Sequence, residues 1–155
     1  MTIAIGCDDA ALALKDILID HLRQKGVAFI DVGVNAGEST FYPDIAARVA
    51  QAVTDKTATR GILVCGTGIG MSITANKFPG IRAAQCHDCF SAERAILSNN
   101  AQILCMGERV IGSELAKKIV DSWLAVEYVV GRSEPKVQRM RDIDSQFRAS
   151  TAQVE

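Results

Sequence analysis

The sequence has almost no net charge, no long apolar run and only two histidines, and each shortage removes a class of function. Seventeen Lys and Arg stand against 18 Asp and Glu, for a formal charge of −1. No global positive field draws the chain to nucleic acid or to an anionic membrane. No apolar stretch approaches the length of a membrane span. The start, MTIAIGCDDA, lacks the basic and long apolar segments of a secretory signal. The five cysteines (Cys7, Cys65, Cys86, Cys89, Cys105) are an odd set, and four lie in or beside apolar runs. With no signal segment, that points to reduced thiols and a cytoplasmic protein. Cys86 and Cys89 form a C-x-x-C tetrad, CHDC, but no second Cys or His pair stands at zinc-like spacing. Two partly buried structural thiols are favoured over a metal or redox site. No internal repeat and no low-complexity segment interrupts the chain.

What is present is an ordinary globular composition: 155 residues, 48% hydrophobic and 23% charged. That is enough for one compact domain over 1–155 with a real core. Short apolar runs at 2–7, 27–32, 61–64, 81–86 and 103–106 read as strands. Between them, apolar residues recur at helical spacing over 10–25 (Leu14, Ile17, Leu18, Leu22), 44–53 (Ile45, Val49, Val53) and 112–126 (Leu115, Ile119, Trp123, Val126). Shorter helices are expected over 71–77 and 91–99, the latter capped by Ser91 with Arg94 facing solvent. The polar stretch 33–43 reads as a loop. Five strands alternating with helices predict an α/β fold, a Rossmann-like, doubly wound, five-stranded parallel sheet. A last polar helix, about 135–147, carries Val137, Met140, Ile143 and Phe147 on one stripe. It needs a surface, on its own domain or on a second subunit. Residues 148–155 read as a frayed tail.

The chemistry centres on residues 60–72, RGILVCGTGIGMS. Cys65 ends a buried strand, on the edge where parallel sheets bind ligands. The glycines after it let the N–H groups of Gly66, Gly68 and Gly70 converge on an oxyanion or a phosphate. Such donors and a helix start would favour the Cys65 thiolate. The plainer alternative is a tight turn beside a small apolar residue. GTGIGM lacks the third glycine of a dinucleotide fingerprint, and Asp88 is a poor substitute for the acid after a second strand. No Lys-Ser/Thr follows Gly70, so the loop is not a P-loop. A thiolate beside an anion cradle suits proton abstraction from a substrate that forms an oxyanion. Asp8 closes the first strand on the same edge and is read as a partner for a substrate hydroxyl, with Asp9 left to cap the helix. Arg132 and Lys136 lie one helical turn apart, and Arg109 follows the fifth strand. These three cations either bind a phosphate or are solvated charges, and spacing does not decide between them. His21 reads as structural surface, whereas His87 ends the fourth strand on the ligand edge, within reach of a substrate.

ILVCGTGIGMSITANKFPGIRAA, the IAIGCDDA start, FYPDIAARVA, SNNAQ and MGERVIGSELAKKIVDSWL together resemble the ribose-5-phosphate isomerase B and galactose-6-phosphate isomerase family. The resemblance covers about 3–143. Within the family, AERAILSNNAQI and the GRS at 131–133 look most like the D-erythrulose-4-phosphate isomerases of erythritol catabolism. It implies an aldose–ketose isomerisation through a cis-enediolate, with no metal and no cofactor. Cys65 matches the family's base and Thr67 its neighbouring hydroxyl. The N–H groups of Gly66, Gly68 and Gly70 would hold the enediolate oxygen. Asp8, Tyr42 and Asn99 match residues near the sugar, and Arg109, Arg132 and Lys136 match the phosphate site. The family's site lies between two subunits, which implies a homodimer or a dimer of dimers and gives the last helix its partner.

Three positions depart from the family. A histidine that approaches the phosphate is replaced by Asp9, so Asp9 points away or the phosphate pose differs. The second phosphate arginine is Lys136, which keeps charge but loses the planar fork. Ser98 stands where the family has its ring-opening histidine. A pentose 5-phosphate is mostly a furanose and needs an acid–base group to open it. A tetrose 4-phosphate has O4 blocked by phosphate and cannot close that ring. Serine is a poor general acid at neutral pH. The sequence therefore favours D-erythrulose 4-phosphate and D-erythrose 4-phosphate. Ribose 5-phosphate is the alternative, kept open by His87 or spontaneous ring opening, ahead of a galactose-6-phosphate type. A non-catalytic sugar-phosphate-binding subunit is the rival outside enzymology, and Cys65 with its intact loop argues against it.

Overall fold

The structure is a computed structural model that describes residues 1–151. Its centre is two strands without a polar face. In β3 (Arg60–Cys65) and β5 (Ile103–Gly107) every residue is buried, as expected for parallel strands covered on both sides. With β1 (Thr2–Cys7), β2 (Ala28–Asp31) and β4 (Ala83–Gln85) they form one parallel sheet in the order β2-β1-β3-β5-β4. This is the predicted doubly wound α/β sheet. The chain leaves β1 toward β2, then returns across β1 to β3, so the winding direction reverses between β1 and β3. Right-handed crossovers then put helices on opposite faces. Helices α2 (Tyr42–Thr54) and α3 (Ile69–Ala75) pack together, while α5 (Ser113–Leu124) packs with α1 (Leu12–Gln24) and α4 (Cys89–Asn99).

Close contact between α2 and the sheet needs Gly61, where a Cβ would stand 2.5 Å from Val49 Cγ1. Two buried cations lock the edges. Lys15, 1% exposed, donates from Nζ to Asp31 Oδ2 and to the Val34 carbonyl, each at 2.7 Å. Arg60 donates to the Trp123 and Val126 carbonyls at 2.9 and 2.7 Å and lies over the Trp123 ring, holding the end of α5.

Several boundaries differ from expectation. Helix α2 starts at Tyr42, because Pro43 sits in its first turn, where its fixed φ suits a helix and no N–H is needed. Helix α3 begins at Ile69, directly out of the glycine loop. Asp88, not Ser91, caps α4, its Oδ1 accepting from the Ser91 N–H at 2.7 Å. The buried face of α5 is Ala116, Ile119, Val120 and Trp123, with Leu115 exposed. The last helix, α6, spans Glu134–Thr151, so 148–151, expected to fray, are helical; the expectation for 152–155 lies outside the described residues. Helix α6 docks on its own domain: Val137 is fully buried, and Asp144 Oδ2 accepts from the Gly80 N–H at 2.9 Å. Ile143 and Phe147 remain exposed.

Candidate active site

The winding reversal leaves a crevice above the carboxyl ends of β1 and β3. Register places Cys7 beside Val64 and Cys65 beside Gly107, so Asp8 and Cys65 emerge next to each other. Cys65 is nearly buried, and its Sγ accepts a hydrogen bond from the Gly68 N–H at 3.1 Å. That bond depends on a left-handed backbone at Gly68, φ +78°, pressed against the Met106 carbonyl. An N–H aimed at sulfur is the interaction a thiolate uses. It also changes the expected arrangement of the loop: the Gly68 amide is engaged by the Cys65 sulfur in this structure instead of being open to a substrate oxygen. Thr67 Oγ1 accepts from the Ile69 N–H at 3.3 Å, leaving its own O–H able to donate.

The flanking groups close around this loop. The Arg109 N–H donates to the Gly66 carbonyl at 3.0 Å, and the guanidinium Nη1 lies 3.5 Å from where a Gly66 Cβ would be. The Tyr42 ring covers Gly70 so closely that a Cβ there would meet it at 2.5 Å. Tyr42 also lines a cleft of about 640 Å³ with Asp8, Asp9, Ser39 and Thr40. Asp8 does two things at once. Its Oδ1 accepts from the Ala10 N–H at 3.2 Å, capping a single 3-10 turn at Asp9–Ala11, so the cap expected of Asp9 belongs to Asp8. Burial raises its carboxyl above the usual range, with the Ala10 hydrogen bond and Arg109 pulling the other way. Asp9 lines the same cleft instead of pointing away.

The other thiols differ from Cys65 in surroundings. Burial pushes Cys7 up to about 12 and Cys86 to about 11, and raises Cys105 further. All three are neutral structural thiols at neutral pH. Among the described residues no group of three or more His, Cys, Asp or Glu could hold a metal ion. His87 Nε2 accepts from the Gly107 N–H at 2.9 Å, so this nitrogen ties the end of β5 and is not turned to a substrate. His21 forms a 2.7 Å contact with Asp121.

The remaining candidates lie elsewhere in the chain. Asn99, Arg132 and Lys136 line a separate cleft of about 490 Å³ between α4 and α6, with Arg94, Ser98 and Ser133. Arg109 is not among its lining residues, so one chain does not gather the three expected phosphate cations. Arg94 does not face solvent. It is half-buried and donates from Nε to Ser98 Oγ at 2.9 Å, and from Nη2 to the same oxygen. Reading Arg94 as a solvent residue missed this pair, although its i, i+4 spacing to Ser98 was there to see.

Comparison with known proteins shows that this chain is a sugar-phosphate isomerase. The chain belongs to the ribose/galactose isomerase family, whose model matches residues 3–140. Two relatives are similar along nearly their whole length. The D-erythrulose-4-phosphate isomerase of Pectobacterium atrosepticum is 53% identical, over 90% of this chain and 93% of its own. The ribose-5-P isomerase B of Listeria innocua is 51% identical, over 96% and 100%. Among solved structures, ribose-5-phosphate isomerase B of Clostridium thermocellum superposes with a TM-score of 0.91 at 44% identity, covering 95% of this chain and 99% of that one.

Proposed function

We propose that the protein is a single sugar-phosphate isomerase domain that interconverts D-erythrulose 4-phosphate and D-erythrose 4-phosphate. Cys65, as thiolate, takes a proton from C1 of the ketose. Electrons from that C–H bond form the C1–C2 double bond, and the C2 carbonyl becomes the enediolate oxygen. Loop N–H groups and the Thr67 hydroxyl stabilise that charge. Cys65 returns its proton to C2, and the C1 hydroxyl proton moves to O2 to leave the aldehyde. Asp8 and Tyr42 border the sugar. The phosphate is held by Arg109 with Arg132 and Lys136, and Asn99 lies beside that pair. Because the second group lines a cleft apart from Cys65, a second copy supplies it, in a homodimer or a dimer of dimers. The exposed Ile143 on α6 suits such a contact. Five unpaired thiols fit the reducing cytoplasm.

The observation that carries the four-carbon reading is Ser98. A hydroxyl oxygen has two acceptor sites, and Arg94 fills both. At the place of a ring-opening histidine, this serine can donate a hydrogen bond but cannot take a proton. A tetrose 4-phosphate needs no ring opened. The ribose 5-phosphate reading is supported by the 51% identity to a relative named for that reaction and by the superposition on a ribose-5-phosphate isomerase B structure. The test is the ratio of kcat/KM for erythrulose 4-phosphate to that for ribose 5-phosphate, without added metal. At least about a tenfold preference for the tetrose is expected, the worth of one well-placed catalytic contact. Parity, or a preference for ribose, sinks the substrate assignment. Binding of both without turnover of either makes the protein a sugar-phosphate-binding subunit instead.

A further inference from the structure

Arg94 touches no substrate group in the reading above, yet two hydrogen bonds to Ser98 hold it in the cation cleft. Three cations, Arg94, Arg132 and Lys136, line about 490 Å³ with two serines and an asparagine, and no carboxylate lines it. Among the described residues none of the three forms an ion pair. The acid between Arg132 and Lys136 in sequence, Glu134, is spent elsewhere: Oε1 accepts from Arg141 Nη1 at 2.7 Å and Oε2 from the Tyr128 hydroxyl at 2.6 Å. Like charges gathered without a counterion call for an anionic ligand. The start of α6 does not supply the anion site by itself. The Glu134 and Lys136 amides are bonded to the Gly131 and Ser133 carbonyls, and Pro135 has no N–H.

We propose that Arg94 is a third cation of the phosphate site and, through Ser98, a specificity-determining residue for short, open-chain sugar phosphates. The proposal rests on the phosphate reading of Arg132 and Lys136. Fixed by two hydrogen bonds to Ser98, the guanidinium brings positive charge to the α4 side of the cleft, opposite Lys136 on α6 and Arg132 in the turn before it. A third attraction on that side suits a phosphate carried on a chain one carbon shorter than a pentose. The same bonds turn the Ser98 O–H into a donor only. A histidine placed at 98 would meet a fixed cation, which opposes the imidazolium that a ring-opening acid must pass through.

The test uses the full-length protein and two readouts. The first is binding of inorganic phosphate, by calorimetry, to wild type, Arg94→Gln, Arg94→Lys and Arg132→Gln. Arg94→Gln is expected to weaken phosphate about tenfold, as Arg132→Gln does, and Arg94→Lys no more than about threefold, because charge is kept. In the same variants KM for erythrulose 4-phosphate rises in step while kcat falls less than about threefold. If Arg132→Gln weakens phosphate and Arg94→Gln does not, the inference is overturned and the proposed function stands. If neither weakens it, the phosphate site is misplaced and both fall. The second readout is ribose 5-phosphate turnover. Ser98→His alone should gain little over wild type, and adding Ser98→His to Arg94→Leu should gain at least about tenfold over Arg94→Leu alone. An equal gain in the single variant would show that Arg94 does not set specificity. Arg94→Lys guards against misfolding, since it keeps the length and charge of the side chain on α4.

Discussion

At the ends of β3 and β1, Cys65 and Asp8 are 5% and 9% exposed, and their polar partners are main-chain N–H groups from the next few residues. Between α4 and α6, Arg94, Ser98, Arg132 and Lys136 are more open, and Arg94 is held by another side chain. The first region is assembled from backbone geometry over a buried sheet. The second is a set of side chains on α4, on the start of α6 and in the turn before it. Backbone geometry can change only by disturbing the core, whereas a helix surface can exchange one side chain for another at small cost to the fold. On the proposed function, the proton-transfer chemistry is therefore the fixed part of this molecule, and the choice of substrate is the adjustable part.

The comparison predicts unequal penalties. Cys65→Ala should lower kcat by at least about 10³-fold, the scale of losing an essential base, and leave the fold intact because alanine fits a small buried strand position. Steady-state kinetics with a thermal melt checks both. The cation-cleft variants should cost about tenfold, mostly in KM. A Cys65→Ala loss no greater than theirs would break the distinction between a reacting edge and a binding cleft.

The same contrast explains what could be read before the structure. GILVC is apolar throughout because β3 is covered on both faces, so strand, thiol and edge were all visible. The sheet itself followed from strands alternating with helices. The Gly68 bond to Cys65 was not visible, because it depends on a positive φ and on contact with Met106, 38 positions away in sequence. Pro43 misled through its two roles, as loop residue and as helix starter. The apolar run 81–86 hides the cap at Asp88, because β4 ends at Gln85, not Cys86, and α4 starts directly after Asp88. On α6 the stripe was seen but not its division, with Val137 inside the domain and Ile143 outside. Local periodicity marks a face; it does not say which neighbour covers which part.

A sharper probe compares two glycines. Gly68→Ala puts a Cβ at φ +78°, 2.9 Å from the Met106 carbonyl carbon, so the backbone must move. A loss of about 1–3 kcal/mol in stability is expected, with a fall in kcat as the N–H turns off Cys65 Sγ. Gly131→Ala, before α6, meets only the Val129 carbonyl at 3.9 Å, and should stay within about 0.5 kcal/mol of wild type. Chemical denaturation measures the pair. Equal effects would mean that the loop after β3 is no more constrained than the turn before α6.

The smallest effect, and the one that separates the regions by sign, is with pH. Burial raises Cys7 from 9.0 to about 12 and Cys86 from 9.0 to about 11. The folded state holds these protons more tightly than the unfolded chain, so this contribution is complete below pH 9.0 and is lost as pH rises through about 11–12. On α6 the sign reverses. The Gly80 N–H, and then Arg148, hold Asp144 below its usual 3.8, while the hydrogen bonds from Tyr128 and Arg141 hold Glu134 below 4.5. Their contribution is present above those values and disappears as pH falls below them. Alkali should thus lower the global melting temperature by ionising thiols of the sheet. Acid should first reduce amide protection along α6 relative to β5, before the sheet responds. If α6 and β5 lose protection together on acidification, the last helix is part of the same cooperative unit as the core, and the cation cleft is less adjustable than its side-chain construction implies.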